Sequence, residues 1–323
     1  MISNIKIRTG RFYTKNNPFL HKIFRKWLDL ADKDKRHTIL EPFAGAGHII
    51  SMLKEGLTLK NSFAAYDIYP KAEYISKRDT LKDFPKGFKI AITNPPYLAK
   101  NSATRKGIKL ELEGFDDLYK VCLKRMLNNT DFVAAIIPES FITSGLFHNR
   151  LYAVISLNNN MFDDTDCPVC LALWKKDKTK DFKVFIGNTF IDNYSNIKKK
   201  DVLNINTPSV NISFNSINGQ IGLRGIDNSK EPSIFFCKPD LIHKKYIKPT
   251  SRALTRIFIE GIDGHKIDQI IQKANQIINE FREDTGDIFL TSFKGLRKDG
   301  KYRRRLDFKR ARKILQIAIE RSL

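Results

Sequence analysis

The sequence has little of what marks a secreted, membrane-embedded or metal-holding protein. Its 323 residues include only four cysteines, too few for a disulfide scaffold. The six histidines show no HxxxH or similar spacing, and one CxxC, Cys167 to Cys170, lies in a strand-like apolar run with no second CxxC to complete a zinc site. The apolar runs are too short to span a bilayer, and the N-terminus lacks the apolar core of a signal peptide. We therefore expect a cytoplasmic protein with no metal and no membrane partner.

Acidic residues are scarce relative to basic ones. Lysine and arginine total 57 against 35 aspartate and glutamate, a formal net charge of +22. A field of this size favours a polyanionic partner, above all nucleic acid. The excess is greatest in residues 294–313, where eleven basic residues face only Asp299 and Asp307. A solvated helix face usually mixes both signs, so this segment predicts contact with phosphates or guanine edges. The predicted contact residues there are Arg303, Arg304 and Arg305.

Strand-like and helix-like runs alternate through the first half of the chain. This alternation predicts an α/β fold with a mainly parallel, twisted sheet and helices on both faces. The charged stretch 175–181 is the predicted linker, which gives a first domain at 1–176 and a smaller mixed domain at 177–323. In the second domain, strand-like runs with a hairpin signal at Asn218-Gly219 precede two helices.

The segment EPFAGAGHII predicts a strand-to-helix turn that binds a ligand. In doubly wound sheets the ligand lies beyond the carboxyl ends of the strands, and Gly45 and Gly47 would let the backbone approach it. Asp67 ends the next strand, where an acid binds the two hydroxyls of a ribose. The third glycine of a dinucleotide fingerprint is replaced by Ile50, and Glu41 in the turn suits a cationic ligand. S-adenosylmethionine, with an ammonium, a sulfonium and a ribose, fits these observations.

The tetrapeptide Asn94-Pro95-Pro96-Tyr97 follows the apolar run of residues 88–93. Neither proline can donate to a sheet ladder, so a strand must end here. A strand terminator alone would need neither Asn94 nor Tyr97.

The series EPFAGAG, AYDI and NPPY resembles the motif series of S-adenosylmethionine-dependent amino-methyltransferases, and in particular of DNA adenine-N6 methyltransferases. The order of cofactor motif, catalytic motif and C-terminal recognition region resembles their gamma class. The resemblance covers roughly residues 11–175. It implies a Rossmann-like methyltransferase fold, S-adenosylmethionine as methyl donor with S-adenosylhomocysteine as product, and duplex DNA as partner. It also implies a restriction-modification system with a possible companion restriction endonuclease.

The resemblance assigns the tetrapeptide to catalysis. The side-chain oxygen of Asn94 and the backbone carbonyl of Pro95 would accept the two N–H bonds of the target amino group, and Pro96 would help to fix that carbonyl. Tyr97 would stack on a base that has left the helix.

The resemblance also implies further site residues. Tyr13 and Thr14 would fold over the methionine end of the cofactor, although Lys15 stands where the family usually has proline. Asp79 would accept from the adenine amino group of the cofactor, and Phe84 would stack on that ring. The full predicted cofactor set is Tyr13, Thr14, Glu41, Phe43, Gly45, Gly47, Asp67, Ile68, Asp79, Thr80 and Phe84.

Two regions are predicted to meet the target strand. Phe162 lies where similar enzymes carry an aromatic against the flipped base, although a core phenylalanine fits as well. Residues 98–114, with Lys100, Arg105 and Lys106, predict a loop that orders over the nucleic acid, and an unordered surface loop fits equally well.

Other functions remain open. The same tetrapeptide occurs in methyltransferases acting on RNA adenine and on protein glutamine, and the net charge argues only against glutamine. A non-catalytic DNA-binding partner subunit is a further alternative, although such a subunit has no reason to retain Glu41, Asp67, Asn94 and Tyr97 together. A monomer is the default expectation.

Overall fold

The computed structural model describes residues 16–57, 59–157, 161–162 and 167–322. The predicted cofactor residues Tyr13 and Thr14 lie outside the described residues. The chain forms two compact units, Met1–Phe190 and Ile191–Leu323. The first unit extends past the predicted boundary at 176/177, because the charged stretch 175–181 connects two strands of one sheet.

A nine-stranded sheet with the order β3-β2-β1-β4-β5-β7-β6-β8-β9 is the framework of the N-terminal unit. Neighbouring strands from β3 to β5 pair in parallel, and β7 runs antiparallel between β5 and β6. The strands are β1 (Ile39–Glu41), β2 (Phe63–Asp67), β3 (Ser76–Lys77), β4 (Ile90–Thr93), β5 (Phe132–Pro138), β6 (Leu151–Ser156), β7 (Val169–Trp174), β8 (Lys183–Ile186) and β9 (Thr189–Asn193), of which β9 contains the boundary between the units.

The central strands are apolar because both of their faces are covered. Every residue of β1, β4 and β7 is buried, which explains why their sequences are continuous apolar runs instead of alternating ones. The chain leaves β1 towards β2 and leaves β4 towards β5, in opposite directions along the sheet. Since parallel crossovers are right-handed, the intervening helices lie on opposite faces. The predicted fold class is therefore confirmed.

The α-helices within the described part of this unit are α1 (Lys22–Ala31), α2 (His48–Leu57), α3 (Lys100–Arg105) and α4 (Leu118–Asn129). Phe24 and Trp27 on α1 are fully buried, and the indole N–H of Trp27 donates to the carbonyl of Trp174 in β7 at 2.7 Å. Helix α4 is capped at its N-terminus by Asp117, whose carboxylate accepts the backbone N–H groups of Leu98 at 2.9 Å and Tyr119 at 3.4 Å. The first of these bonds holds the chain that follows the tetrapeptide.

The C-terminal unit is a smaller α/β body. Its four-stranded antiparallel sheet has the order β10-β13-β11-β12, and a separate two-stranded sheet pairs β14 with β15. The strands are β10 (Ile212–Phe214), β11 (Ile221–Arg224), β12 (Phe235–Cys237), β13 (Leu254–Ile259), β14 (Thr291–Leu296) and β15 (Tyr302–Arg305), and the helices are α5 (Tyr194–Lys199), α6 (Ile267–Thr285) and α7 (Phe308–Glu320).

The predicted hairpin at Asn218-Gly219 is wrong. The chain does turn there, but β13 lies between β10 and β11. A Cβ atom on Gly219 would lie 2.5 Å from the backbone nitrogen of Ile257 in β13. The glycine therefore serves the close approach of a third strand, and not a two-residue hairpin loop.

A buried ion-pair network centred on Asp227 holds the C-terminal unit together. The Asp227 side chain is inaccessible to solvent and accepts from both terminal nitrogens of Arg282 at 2.8 and 2.9 Å and from Arg297 at 3.0 Å. The backbone N–H of Arg304 also donates to it at 3.1 Å. Burial opposes ionisation, but the bonds from Arg282 and the backbone lower the pKa of Asp227 below its ordinary 3.8.

None of the helices within the described ranges has the length and apolar composition that a bilayer crossing needs.

Replacing Asp227 by asparagine should destabilise the C-terminal unit by about 3–5 kcal/mol, because the charges of Arg282 and Arg297 lose their buried counter-ion. Urea unfolding followed by hydrogen exchange of peptides from residues 191–323 measures this loss. The matched control is Asp299→Asn, since Asp299 pairs with the same Arg297 but is 42% exposed, and about 0–1 kcal/mol is expected. Equal losses in the two variants would contradict the central role of Asp227.

Candidate active site

A cavity of about 510 Å³ opens at the carboxyl ends of β1, β2 and β4. This is where the strand order reverses, the place at which doubly wound sheets bind ligands. The cavity brings together ten of the predicted cofactor and catalytic residues: Glu41, Phe43, Gly45, Asp67, Ile68, Asp79, Thr80, Asn94, Pro95 and Pro96. These positions are far apart in sequence, and the parallel pairing of the strands makes them neighbours.

The turn between β1 and α2 forms the floor of the site. Gly45 and Gly47 have positive φ angles of 57° and 79°, a region that favours glycine. Gly47 does not line the cavity, and a Cβ atom there would lie 1.8 Å from the hydroxyl oxygen of Tyr74. The positive φ of Gly47 accounts for the glycine without a ligand, and its close approach to Tyr74 adds to this.

Asp67, the last residue of β2, is oriented by backbone groups. Its carboxylate accepts the N–H of Gly45 and the N–H of Tyr69, each at 2.8 Å. These two bonds join the carboxyl end of β2 to the turn after β1, so the carboxylate faces the cavity in a fixed direction. A further hydrogen bond stabilises the same turn, since the buried Thr80 hydroxyl donates to the carbonyl of Pro42 at 2.8 Å.

Glu41 carries a buried acidic side chain with an unsatisfied oxygen. It is 2% exposed and lines the cavity, and its Oε2 atom has no hydrogen-bond partner among the described residues. Burial raises the pKa of Glu41 well above its ordinary value, and the nearby charge of Asp67 raises it further. An isolated buried carboxylate is costly, so this arrangement favours a cation or a strong hydrogen-bond donor as ligand.

Asn94, Pro95 and Pro96 form the cavity wall that follows β4. The Tyr97 hydroxyl lies between the side-chain oxygen of Asn94 and the backbone carbonyl oxygen of Ile136, which is 2.6 Å away, and its single proton is shared between these two acceptors. Burial raises the pKa of Tyr97 well above 10.0, so the hydroxyl keeps its proton. Tyr97 therefore tethers the Asn94 amide to strand β5.

The ring of Tyr97 lies behind the wall instead of in the cavity. It is 7% exposed, and its centroid is 6.2 Å from those of Tyr119 and Phe162, both in edge-on arrangements. The structure places Phe162 beside Tyr97 as a fully buried ring, and its contact with a flipped base stays a prediction. A stacking face for a base is not presented by Tyr97 in this arrangement.

An apolar wall completes the cavity. Its members are Phe43, Ile49, Ile68, Leu81, Leu98, Ile108, Leu110 and Leu118. Sequence reasoning missed most of these, and it also missed His48, Tyr69, Arg78 and Lys109. Of this second group, His48 was recoverable, because it is the first residue of α2 and directly follows the glycine turn.

Segment 98–114 differs from the predicted loop. It contains α3 and is held by the backbone bond from Lys100 to the carbonyl of Asp116 at 2.7 Å. Lys100, Arg105 and Lys106 are exposed, while Ala103 is buried in an apolar cluster with Leu98 and Leu118. The ordering comes from that cluster and needs no nucleic acid. Whether the three basic side chains contact a target strand stays a prediction.

The remaining predicted residues have other surroundings. Phe84 is buried and does not line it. In the C-terminal unit, the Arg303 Nε atom donates to the carbonyl of Asp227 at 2.7 Å, and its guanidinium lies over the ring of Phe293. Arg304 is 4% exposed and donates to the hydroxyl of Ser292 at 2.6 Å. Arg305 is half-buried.

No protein-family model matches this chain, and no curated protein matches it. Some solved structures are similar to part of it. A protein assigned to the class I S-adenosylmethionine-dependent methyltransferases, from Listeria monocytogenes, is 13% identical over 55% of this chain and 67% of its own, with a TM-score of 0.40.

Two further solved structures come from restriction-modification systems or contain DNA. The methyltransferase subunit of a type I restriction-modification system from Streptococcus thermophilus is 16% identical over 58% of this chain and 50% of its own, with a TM-score of 0.40. The DrdV–DNA complex is 14% identical over 57% of this chain and 28% of its own, with a TM-score of 0.46. This chain spans half or less of these two proteins. At such identities and scores, function has to be argued from the site itself.

Replacing Glu41 by glutamine should increase the free energy of unfolding of the ligand-free protein. The raised pKa of Glu41 means that the unfolded chain ionises first, so the wild type loses stability as the pH rises above 4.5, the ordinary value. The glutamine variant lacks this loss, and its advantage should grow from pH 4.5 upwards. Urea unfolding across this range measures it, with the exposed Glu55→Gln as control. An advantage that shrinks with rising pH would contradict the buried carboxyl.

Proposed function

We propose that this chain is an S-adenosylmethionine-dependent DNA methyltransferase that modifies the exocyclic amino group of an adenine extruded from duplex DNA. The observation that carries the proposal is the meeting of Glu41, Asp67 and the Asn94-Pro95-Pro96 wall at one cavity. The expected setting is a restriction-modification system, with a restriction endonuclease as a companion. In this proposal the unit Ile191–Leu323 recognises the target.

The donor set of the cavity fits S-adenosylmethionine. The unsatisfied buried carboxylate of Glu41 matches a cationic methionine end, and Asp67 matches the two hydroxyls of a ribose. Phe43 and Ile68 offer apolar surface to the adenine ring, and Asp79 offers an acceptor to its amino group. A cavity of about 510 Å³ lies within the range of ligand pockets. When bound, the cofactor supplies an electrophilic methyl group on a sulfonium.

Asn94 and Pro95 supply the chemistry on the nucleophile's side. An exocyclic amino group is a poor nucleophile because its lone pair is delocalised into the ring. Acceptors on both N–H bonds hold the nitrogen in a more tetrahedral state and direct its lone pair at the methyl carbon. A nitrogen–carbon bond then forms as the sulfur–carbon bond breaks, and an amino proton is released to solvent. The amide oxygen of Asn94 has two lone pairs, so it can accept from the substrate beside Tyr97.

The charge of the chain favours a nucleic acid as the substrate. A net charge of +22 has no role in methylating a protein glutamine, whereas it attracts a polyanion over a long range. Adenine in RNA would require the same chemistry at Asn94, and a DNA-binding subunit without activity would require none of it. An assay that offers each substrate in parallel distinguishes these alternatives by showing which substrate accepts the methyl group.

The deciding experiment is transfer of labelled methyl from S-adenosylmethionine to unmethylated duplex DNA, RNA and protein in parallel, with the modified residue identified by mass. We expect N6-methyladenine in the duplex. Asn94→Ala should reduce transfer by at least about 10²-fold, the scale of losing a group that acts on the reacting centre, while leaving cofactor affinity unchanged. Asp67→Ala should act mainly by weakening cofactor binding, as measured by calorimetry.

Each contrary result has a definite meaning. Label in RNA alone would retain the catalytic assignment and overturn the substrate. Cofactor binding without transfer to any substrate would favour the non-catalytic subunit. Full activity of the Asn94 variant would overturn the catalytic assignment itself.

Replacing Tyr97 by phenylalanine should lower kcat for methyl transfer by about tenfold, the worth of one hydrogen bond that orients a reacting group. The ring and its packing are retained, but the tether between Asn94 and Ile136 is lost. Cofactor affinity should not change. The control is Tyr119→Phe, which removes a hydroxyl from the neighbouring ring without touching Asn94. An unchanged kcat in the Tyr97 variant would show that its hydroxyl does not position the amide.

A further inference from the structure

We infer that the exposed segment Leu241–Lys248, here called the basic arm, is the surface by which the C-terminal unit binds the phosphate backbone of duplex DNA. The inference rests on the proposed function for the identity of the polyanion. It adds a contact surface in a part of the unit that sequence reasoning did not select.

Four arginines of residues 294–313 have contacts inside the protein. Arg297 is 5% exposed and is bonded to Asp227 and Asp299. Arg310 is bonded to Asp201 and Asp307. Arg304 is buried, and Arg303 lies over an aromatic ring. A guanidinium that already neutralises a buried carboxylate has little field left for a phosphate, so Arg297 and Arg310 have structural roles. Lys298, Lys301 and Lys309 of the same run are exposed.

The basic arm has the opposite character. Residues 241–259 contain no aspartate or glutamate, and Lys244, Lys245 and Lys248 are all exposed. Within the described part of the chain, none of these three lysines forms an ion pair with an acid. Three charges without a local counter-ion attract a polyanion and release its condensed counter-ions on binding.

The arm is fixed to the sheet at both of its ends. Ile242 is buried, and its carbonyl accepts the Nε–H of Arg256 in β13 at 2.8 Å. Beyond the arm, the side chain of Asn215 donates to the carbonyl of Pro249 at 2.9 Å. A surface held in this way loses little conformational entropy when it binds.

The arm also presents apolar side chains near its charges. Leu241 is 72% exposed and Tyr246 is 50% exposed, and the Lys245 ammonium lies 5.1 Å from the Tyr246 ring centroid. Lysines beside an amphipathic ring suit a sugar-phosphate backbone, whose charges and apolar sugar faces alternate.

The test is equilibrium binding of a fluorescent duplex to the full chain over a range of salt concentrations. The variant Lys244→Gln/Lys245→Gln/Lys248→Gln removes the three charges. Each lost phosphate contact should reduce the slope of log K against log salt by about 0.9, so a reduction approaching 3 is expected. The matched control is Lys198→Gln/Lys199→Gln/Lys230→Gln, which removes the same charge from exposed positions of the same unit. The control should change the slope by less than one contact.

Equal reductions in slope for the two variants would overturn the inference, because net charge alone would then explain them. An unchanged slope in the arm variant would also overturn it, as would tight binding of single-stranded RNA with no binding of the duplex. The assay requires no methyl transfer. Duplex binding that depends on the arm in a protein that methylates nothing would therefore support the arm and reject the proposed enzymatic function.

Discussion

The parallel pairing of β1 with both β2 and β4 is the constraint on which the candidate site depends. Glu41 lies opposite Ala65 in β2, and Leu40 lies opposite Ala91 in β4, so the three strands end at one edge. Residues more than fifty positions apart are thereby brought to one cavity. A slip in register would invert the side chains and turn these groups away.

The site also contains a side chain, Glu41, that does not stabilise the fold. A carboxyl as deeply buried as Glu41, with one oxygen unsatisfied, raises the free energy of the ligand-free protein. Natural proteins break local rules of this kind mainly where function requires it. Asp67 shows the contrast, since both of its oxygens accept backbone N–H groups and its orientation is set before any ligand arrives. The Asp67 carboxylate is therefore oriented by the protein itself, whereas the unsatisfied oxygen of Glu41 needs a ligand as its partner.

Charge has two distinct uses in the C-terminal unit. In the Asp227 network, bonds from Arg282, Arg297 and Arg304 to one buried carboxylate connect α6, β15 and the chain that joins β14 to β15. The lysines of the basic arm face solvent. Arginine suits the first use because its planar fork bonds a carboxylate in two places, and lysine suits the second as a strongly hydrated point charge. Net charge therefore predicts a polyanionic partner without indicating which residues meet it.

The sequence by itself determined the parallel fold and the order in which Glu41, Asp67 and Asn94 follow their strands, because hydrophobic periodicity and the backbone limits of glycine and proline are local properties. It also predicted the helices that became α6 and α7. Only the tertiary structure decided that Arg304 points inward, that Tyr97 lies behind the cavity wall, and that β13 separates the strands beside Gly219. Whether a charge faces water or a buried acid, and whether a ring faces a cavity or a core, depends on residues distant in the chain.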